Sequence, residues 1–201
     1  MYLPAHFEVS DASVLAGLMQ RHPLATLVRL GPDGLCADAV PLLYDAATRT
    51  LRGHVARANP LWQAAPGAPV LAIFNGPEAY VSPGWYPSKA STHKVVPTWN
   101  YCVVQAHGAL HAHDDAVWLR QFLEQLTASQ EATQARPWSL AEAPADYLEQ
   151  MLRAVVGFEI RVERLVGKFK ASQNRTPADR EGVAQALGSH PMAELVRDPT
   201  R

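Results

Sequence analysis

A tight turn between two strand-like runs constrains this chain more than any other sequence feature. Residues 24–30 and 35–44 are rich in aliphatic side chains, and Gly31-Pro32-Asp33-Gly34 separates them. Glycine permits positive φ and proline presets a negative φ, so these four residues favour a turn. A further turn at 45–49 and a third run at 50–56 follow. Short runs joined in this way predict antiparallel strands.

The rest of the chain continues this pattern and adds helices. Further strands are predicted at 70–74, 79–82, 95–113 (with a break possible at Pro97) and 158–162; helices are predicted from 10 to 19, 60 to 65, 114 to 126 and 145 to 156. From Lys168 onward we expect a polar segment and a weak C-terminal helix. Antiparallel strands with peripheral helices predict a mainly β fold, a small barrel with added helices.

Composition limits the classes of function. The chain has 18 Lys and Arg against 19 Asp and Glu, a net charge of -1, which gives no general attraction to nucleic acid or anionic lipid. Charged residues make up only 18% of its 201 residues, a share that indicates surface covered by a second subunit. No glycine-rich P-loop, GxGxxG or HExxH motif occurs.

The sequence predicts a soluble, cytoplasmic protein. Its first residues lack the basic and apolar regions of a secretion signal, and no run of 18 apolar residues is long enough to cross a membrane. Cys36 and Cys102 lack metal-ligand spacing, and buried free thiols are favoured over a disulfide.

The first candidate site lies where a predicted strand meets a predicted helix. Asn59 is a preferred N-cap and Pro60 fits the first helical position. Such a junction favours an anion through backbone N–H groups and the helix dipole, and Arg57 adds a forked cation suited to phosphate. The alternative is an ordinary loop in which Asn59 is only a cap. The candidate ligand-binding residues here are His54, Val55, Ala56, Arg57 and Asn59.

The second candidate site lies at the start of the long predicted strand. Thr98, Trp99 and Asn100 place polar groups in a strand-like stretch, where they are available to hydrogen-bond a ligand. Trp99 and nearby Trp85 are able to supply flat walls for an aromatic ring. A structural loop with core tryptophans explains the same pattern, and spacing alone favours that alternative.

The third candidate segment concentrates hydrogen-bond donors within nine residues. Its polar members are Lys168, Lys170, Ser172, Gln173, Asn174 and Arg175. A solvated charged tail is the usual explanation of such a run. Against that explanation, Phe169 and Ala171 alternate with the lysines, as in a strand with one buried face.

Three histidines share one face of the strand at 95–113. His111 and His113 are two residues apart and His107 lies four residues before His111, a spacing that would allow them to hold a transition metal or a haem. The same alternation is typical of a half-exposed strand, and Asp114 and Asp115 are assigned to helix capping. We therefore predict no metal site.

Seven segments in order along the chain resemble one family, the PaiB-type FMN-binding negative transcriptional regulators. They are MYLPAHF at 1–7, HPLAT at 22–26, PLL at 41–43, GHVARANPLW at 53–62, the GP, AY, SP and WYPSK words within 76–89, VVPTWNY at 95–101, and GKFKASQNR at 167–175. The words ARANPLW, VPTWNY and SQNR are specific to this resemblance. It covers nearly the whole chain.

The resemblance implies an FMN-binding split barrel, a relative of the pyridoxine phosphate oxidases, that forms a two-fold dimer with FMN in a groove between subunits. It implies that 54–59 contact the ribityl and phosphate groups, that 98–100 lie near the isoalloxazine ring or the phosphate, and that 168–175 close the site from the other subunit. The family's GKWK is GKFK here, so Phe169 keeps an aromatic wall without an indole N–H. The split-barrel domain is expected at 1–175, followed by a helical extension at 176–201.

On this resemblance we expect a transcriptional regulator or a flavin- or redox-sensing protein. The alternative is a flavin-dependent oxidoreductase or a haem-degrading enzyme of the related barrels. Direct DNA binding is doubtful: the one helix-turn-helix candidate, 179–196, has a Gly-Ser turn, a second helix expected to be interrupted at Pro191, and no base-reading side chain before Arg197.

Overall fold

The computed structural model describes residues 1–199. Two compact units form: the first comprises 1–22, 73–105 and 165–199, and the second comprises 23–72 and 106–164. The described strands, β1 to β8, are Glu8–Val9, Leu24–Gly31, Gly34–Pro41, Leu43–Asp45, Thr50–Ala56, Ala68–Val81, Thr98–His113 and Val155–Lys170. The described α-helices, α1 to α6, are Ala12–Arg21, Lys89–Thr92, Ala116–Glu131, Ala145–Arg153, Pro177–Leu187 and Pro191–Arg197.

The strands within residues 1–199 form one mainly antiparallel sheet. Their order is β3-β2-β6-β7-β8-β5-β4, and β1 pairs with β8. Helices accompany this sheet, so the predicted class, mainly β with added helices, is confirmed.

The hairpin of β2 and β3 forms as the sequence predicts. Leu24 pairs with Pro41 at one end, and Gly31 pairs with Gly34 at the turn. Gly34 has a φ of 114°, a conformation that side chains with a Cβ rarely adopt. The turn chemistry therefore fixes the register of the first two long strands.

In the second unit, α3 and α4 bury a common apolar cluster of Leu119, Phe122, Leu126 and Leu152. Asp115 begins α3, since its carboxylate accepts hydrogen bonds from the backbone N–H groups of Val117 and Trp118 at 2.7 and 3.1 Å. Trp118 lies so close to β8 that a Cβ on Gly157 would come within 2.2 Å of its ring. A glycine at 157 is therefore required for this packing.

In the first unit, α1 buries Leu15, Leu18 and Met19, and Asp11 caps its first turn as predicted. The end of β8 contributes Phe169 to the core of this unit, with 1% of the residue exposed. Ala171, two residues later, is fully buried. Helices α5 and α6 bury a further set of apolar side chains: Val183, Ala184, Met192, Ala193 and Val196.

Several predicted boundaries were wrong, each for a local reason. The two strands expected at 70–74 and 79–82 are one strand, β6, because Gly76 and Pro77 lie within it rather than in a turn. The strand expected at 158–162 runs on to Lys170 as β8, so the polar segment expected from Lys168 begins as strand. Pro191 does not interrupt a helix; it occupies the first turn of α6, with His190 as the cap.

Candidate functional site

The first group of predicted ligand-binding residues lies at the end of β5, in the second unit. His54, Val55 and Ala56 pair with Gly157, Val156 and Val155 of β8. The backbone N–H of Arg57 donates to the carbonyl of Ala154 at 2.8 Å. The strand ladder thus extends one residue beyond β5 and holds the start of the loop in place.

Arg57 makes a bidentate ion pair with Asp114. Its Nη2 and Nη1 donate to the two carboxylate oxygens at 2.6 and 2.9 Å, and its Nε donates to the carbonyl of Arg153 at 2.8 Å. Both side chains of the ion pair are about half exposed, at 41% and 53%. Hydrogen bonds from Arg57 hold the pKa of Asp114 below its usual value. The cation expected to hold phosphate therefore has a carboxylate partner that an anion would have to displace.

Asn59 acts as a cap, but the element that it begins is not an α-helix. Its Oδ1 accepts from the backbone N–H of Leu61 at 2.8 Å, and its Nδ2 donates to Asp38 at 2.9 Å. The helix expected from 60 to 65 is a 3-10 turn, Pro60–Gln63. The helix prediction is therefore wrong, and a single turn aligns few peptide dipoles toward an anion.

His54 has a buried ring nitrogen without a hydrogen-bond partner in the described part of the chain. Its Nδ1 has no hydrogen-bond partner among residues 1–199, and its ring centroid lies 6.0 Å from that of Phe122. Burial lowers the pKa of His54. A cavity of about 270 Å³ is lined by His54, Asn59 and Asp38, among others. Pockets for whole ligands usually span about 300–1,000 Å³, so this cavity fits only part of a cofactor.

The second and third groups of predicted residues come together in the first unit, on β7 and at the end of β8. Asn100 is fully buried, and its Nδ2 donates to the hydroxyl of Ser172 at 2.9 Å. Its Oδ1 has no hydrogen-bond partner in the described part of the chain. Ser172 has a φ of 62°, a left-handed conformation uncommon for a residue other than glycine. This pair fixes the turn that follows β8.

Two lysines of β8 lie beside aromatic rings of the same unit. Lys168, 7% exposed, donates to the carbonyl of Tyr2 at 3.0 Å, and its Nζ lies 5.3 Å from the ring centroid of Tyr101. Lys170 donates to the hydroxyl of Thr98 at 2.5 Å and also approaches the Tyr101 ring. Burial is the main cause that lowers the pKa of Lys170. These lysines are not part of a solvated tail.

The remaining predicted residues differ in their exposure. Gln173 bonds back to its own strand end, with its Oε1 accepting from the N–H of Ala171 at 2.7 Å. Arg175 stacks on Tyr86, 4.7 Å from the ring centroid. Asn174 is exposed, and Trp99, 54% exposed, packs edge-on against Tyr80. Trp99 is therefore a surface ring rather than a core tryptophan.

Sequence reasoning missed several residues that organise these groups. Tyr2, Tyr86 and Tyr101 contact the predicted cations, and Asp114 was assigned to capping although it binds Arg57 instead. Each of these tyrosines belongs to a segment that carries the family resemblance, at 1–7, 76–89 and 95–101, but their contacts with cations are long-range and no local spacing predicts them. No sequence spacing links Arg57 to Asp114.

Other expectations concern metals, thiols and membranes. Within residues 1–199, no group of three metal-ligating side chains comes together. Cys36 and Cys102 are free, and burial raises the pKa of the Cys102 thiol to about 12. Among the described helices, none has the length and apolar character needed to span a membrane.

Comparison with solved structures shows the fold: this chain shares it with flavin-binding proteins of the split-barrel fold. The flavocytochrome Anf3 of Azotobacter vinelandii matches with a TM-score of 0.60 at 13% identity, over 85% of this chain and 70% of that one. An FAD- and heme-binding protein of Mycobacterium smegmatis matches with a TM-score of 0.57 at 18% identity, over 81% and 73%. These identities show a common fold.

The family follows from sequence. Residues 1–164 match the family described as "Putative FMN-binding domain", and the chain belongs to that family. It is 30% identical to the protease synthase and sporulation protein PAI 2 of Bacillus subtilis, over 98% of this chain and 97% of that protein. It is 32% identical to a protein of Emericella nidulans, over 91% and 88%. The resemblance to the PaiB type is thereby confirmed.

Proposed function

We propose that the protein binds FMN without a covalent bond and acts as a cytoplasmic, flavin- or redox-responsive regulator of the PaiB type. The observation that carries this proposal is membership of the FMN-binding family over residues 1–164. Bound FMN would supply electron transfer, while the protein's residues would bind and orient it.

Arg57 is proposed to bind the phosphate by exchanging its carboxylate partner. Exposed ion pairs are weak because water and salt screen them, whereas a phosphate offers the same forked geometry with a larger charge. Asn59 and the buried Nδ1 of His54 line the adjoining cavity, whose volume of about 270 Å³ suits the phosphate and part of the ribityl chain. Val55 and Ala56 contribute backbone to this group.

The group on β7 and β8 is proposed to contact the isoalloxazine ring. Lys168, Lys170, Thr98 and Arg175 supply donors, and Trp99 supplies an exposed flat ring. Asn100 is fully buried, so its role is to position Ser172 and the turn with Gln173 and Asn174. In a homodimer this group would come from the partner subunit.

Light scattering should give twice the 22.0 kDa chain mass, and a stable monomer at micromolar concentration would contradict the dimer.

The absorbance spectrum of freshly purified protein tests flavin binding directly. Retained flavin gives the visible absorbance bands of its isoalloxazine ring, and protein purified without flavin should show them after incubation with FMN and desalting. A protein that shows no flavin absorbance in either preparation would contradict the proposal.

A flavin-dependent oxidoreductase, or a haem-degrading enzyme, is the second candidate. It is favoured by the names of two structural relatives, a flavocytochrome and an FAD- and heme-binding protein. Steady consumption of NADH or NADPH by the FMN-loaded protein would support it. FMN binding without such consumption supports the regulator.

A further inference from the structure

A groove in the first unit is lined by an indole, a lysine and a histidine. It measures about 740 Å³, and the residues that matter to its chemistry are Trp85, Tyr86, Lys89, His93, Gly182 and Gln185. We refer to it as the Trp85 groove. Its titratable lining residues other than Tyr86 are Lys89 and His93, and no Asp or Glu belongs to the described lining. A surface of this kind selects against cations.

The loop that forms one wall of the groove is anchored by a buried carboxylate. Asp179 of α5 is 4% exposed and accepts two hydrogen bonds from Ser88, one from its backbone N–H at 3.0 Å and one from its hydroxyl at 2.8 Å. The wall is therefore held in place before any ligand arrives, which reduces the entropy lost on binding.

The other wall, α5, approaches the loop more closely than a side chain would allow. A Cβ at Gly182 would lie 2.3 Å from the carbonyl oxygen of Trp85 and 2.9 Å from Cδ of Pro87. Glycine at 182 thus allows α5 to lie close to the backbone of Trp85 and to Pro87.

His93 is held in an uncommon backbone conformation at the edge of the groove. It ends α2 with a φ of 55° in the left-handed region, and its N–H donates to the carbonyl of Lys89 at 3.1 Å. Non-glycine residues in this region concentrate at functional sites, where the surrounding structure maintains them. This conformation places His93 and Lys89 on one turn of backbone beside the indole.

We propose that the Trp85 groove is a second binding site, for an anion that carries an aromatic ring, such as an aryl phosphate. The indole stacks on the ring, and Lys89 and His93 bind the anionic group. None of the residues assigned to FMN lines the groove, although Tyr86 of its lining stacks on Arg175 of the proposed flavin group.

Calorimetric titration with phenyl phosphate tests this site, with inorganic phosphate and phenol as the half-ligands. Phenyl phosphate should bind about fivefold or more tightly than either, because only it engages both indole and cations. Each titration is run with and without saturating FMN. Phenyl phosphate that binds where the FMN phosphate would bind is displaced by FMN, whereas phenyl phosphate in the Trp85 groove is not. If the protein does not bind FMN, the proposed function is contradicted, but binding of phenyl phosphate in the Trp85 groove is not.

Matched variants assign the binding to the groove. Lys89→Ala and His93→Gly should each weaken phenyl phosphate binding by about two- to fivefold, because each removes an exposed hydrogen-bond donor to the anionic group. Glycine suits the positive φ of residue 93, so that variant keeps the fold. Lys94→Ala, an exposed lysine outside the lining, should bind as the unmodified protein does.

Three results would overturn the proposal: equal binding by Lys89→Ala, His93→Gly and the unmodified protein; loss of phenyl phosphate binding when FMN is added; or inorganic phosphate bound as tightly as phenyl phosphate. Retained binding with FMN present and weaker binding by both groove variants would support it.

Discussion

Arg57 and Asp114 are joined by two hydrogen bonds of 2.6 and 2.9 Å, although 56 residues separate them in the chain. The same guanidinium donates to the carbonyl of Arg153, so it is oriented from two sides. If Arg57 binds the FMN phosphate, Asp114 competes with that phosphate for the same donors.

Asp114→Asn should therefore tighten FMN binding by about two- to fivefold, since the amide removes the competing charge of an exposed pair. Arg57→Ala should weaken FMN binding by about tenfold, as expected when a charge-assisted contact is lost. Equilibrium titrations by flavin fluorescence would measure both, with riboflavin as the matched ligand. Opposite changes in FMN affinity with unchanged riboflavin affinity would place the phosphate at Arg57; equal changes for both ligands would place it elsewhere.

The buried pair of Asn100 and Ser172 should matter both to stability and to flavin binding. Asn100→Leu alone leaves the Ser172 hydroxyl without its donor and should cost about 1–3 kcal/mol of unfolding free energy. The double variant Asn100→Leu with Ser172→Ala removes both polar partners and the unpaired Oδ1, so its stability should return to within about 1 kcal/mol of the original. Urea denaturation measures these differences.

The double variant should nonetheless bind FMN about two- to tenfold more weakly, because the turn after β8 loses the hydrogen bond that positions it. Unchanged FMN affinity in a stably folded double variant would remove Ser172 and its turn from the proposed site.

Asp179 should make stability depend on pH in the acid range. Burial raises its pKa, but hydrogen bonds from Ser88 outweigh this and hold the pKa below the usual value of 3.8. A carboxyl whose pKa is lowered by folding stabilises the protein above its unfolded pKa, and this contribution is lost as pH falls through the folded pKa.

Asp179→Ala should therefore cost about 1–3 kcal/mol at pH 7, with two Ser88 donors left unpaired. The difference in unfolding free energy between this variant and the unmodified protein should shrink as pH falls below 3.8. Thermal unfolding across this range measures it, and exposed Glu181→Ala on the same helix serves as the control. A difference that does not change with pH would show that the carboxylate charge is unimportant.

The protein alone should not bind a specific DNA sequence tightly. Its 18 basic residues are balanced by 19 acidic ones, and several are engaged: Arg57 with Asp114, Lys168 with Tyr2, and Lys170 with Thr98. The α5–α6 pair is better formed than the sequence indicated, yet Arg180 is committed to carbonyls of Val196 and Arg197. A sequence-selective mobility shift at nanomolar protein and physiological salt would restore a direct repressor.

Local patterns predicted the fold better than they predicted the contacts of the site. The hairpin turn at 31–34, the cap at Asp11 and strand β5 followed from turn chemistry and alternation. The extent of β8 did not, because Lys168 and Lys170 look solvated until the rings of Tyr2 and Tyr101 cover them. The Arg57–Asp114 pair depends on a long-range contact that no local pattern encodes.

The affinity of the protein for FMN relative to riboflavin tests the central claim most directly. The two ligands share the ring and ribityl chain and differ only in the phosphate, so titrating both against the same flavin-free preparation isolates that group. We expect saturable binding of one FMN per chain and about tenfold or more weaker binding of riboflavin, the difference expected of a charge-assisted contact. No binding of FMN at micromolar concentrations, or equal affinity for the two flavins, would contradict it.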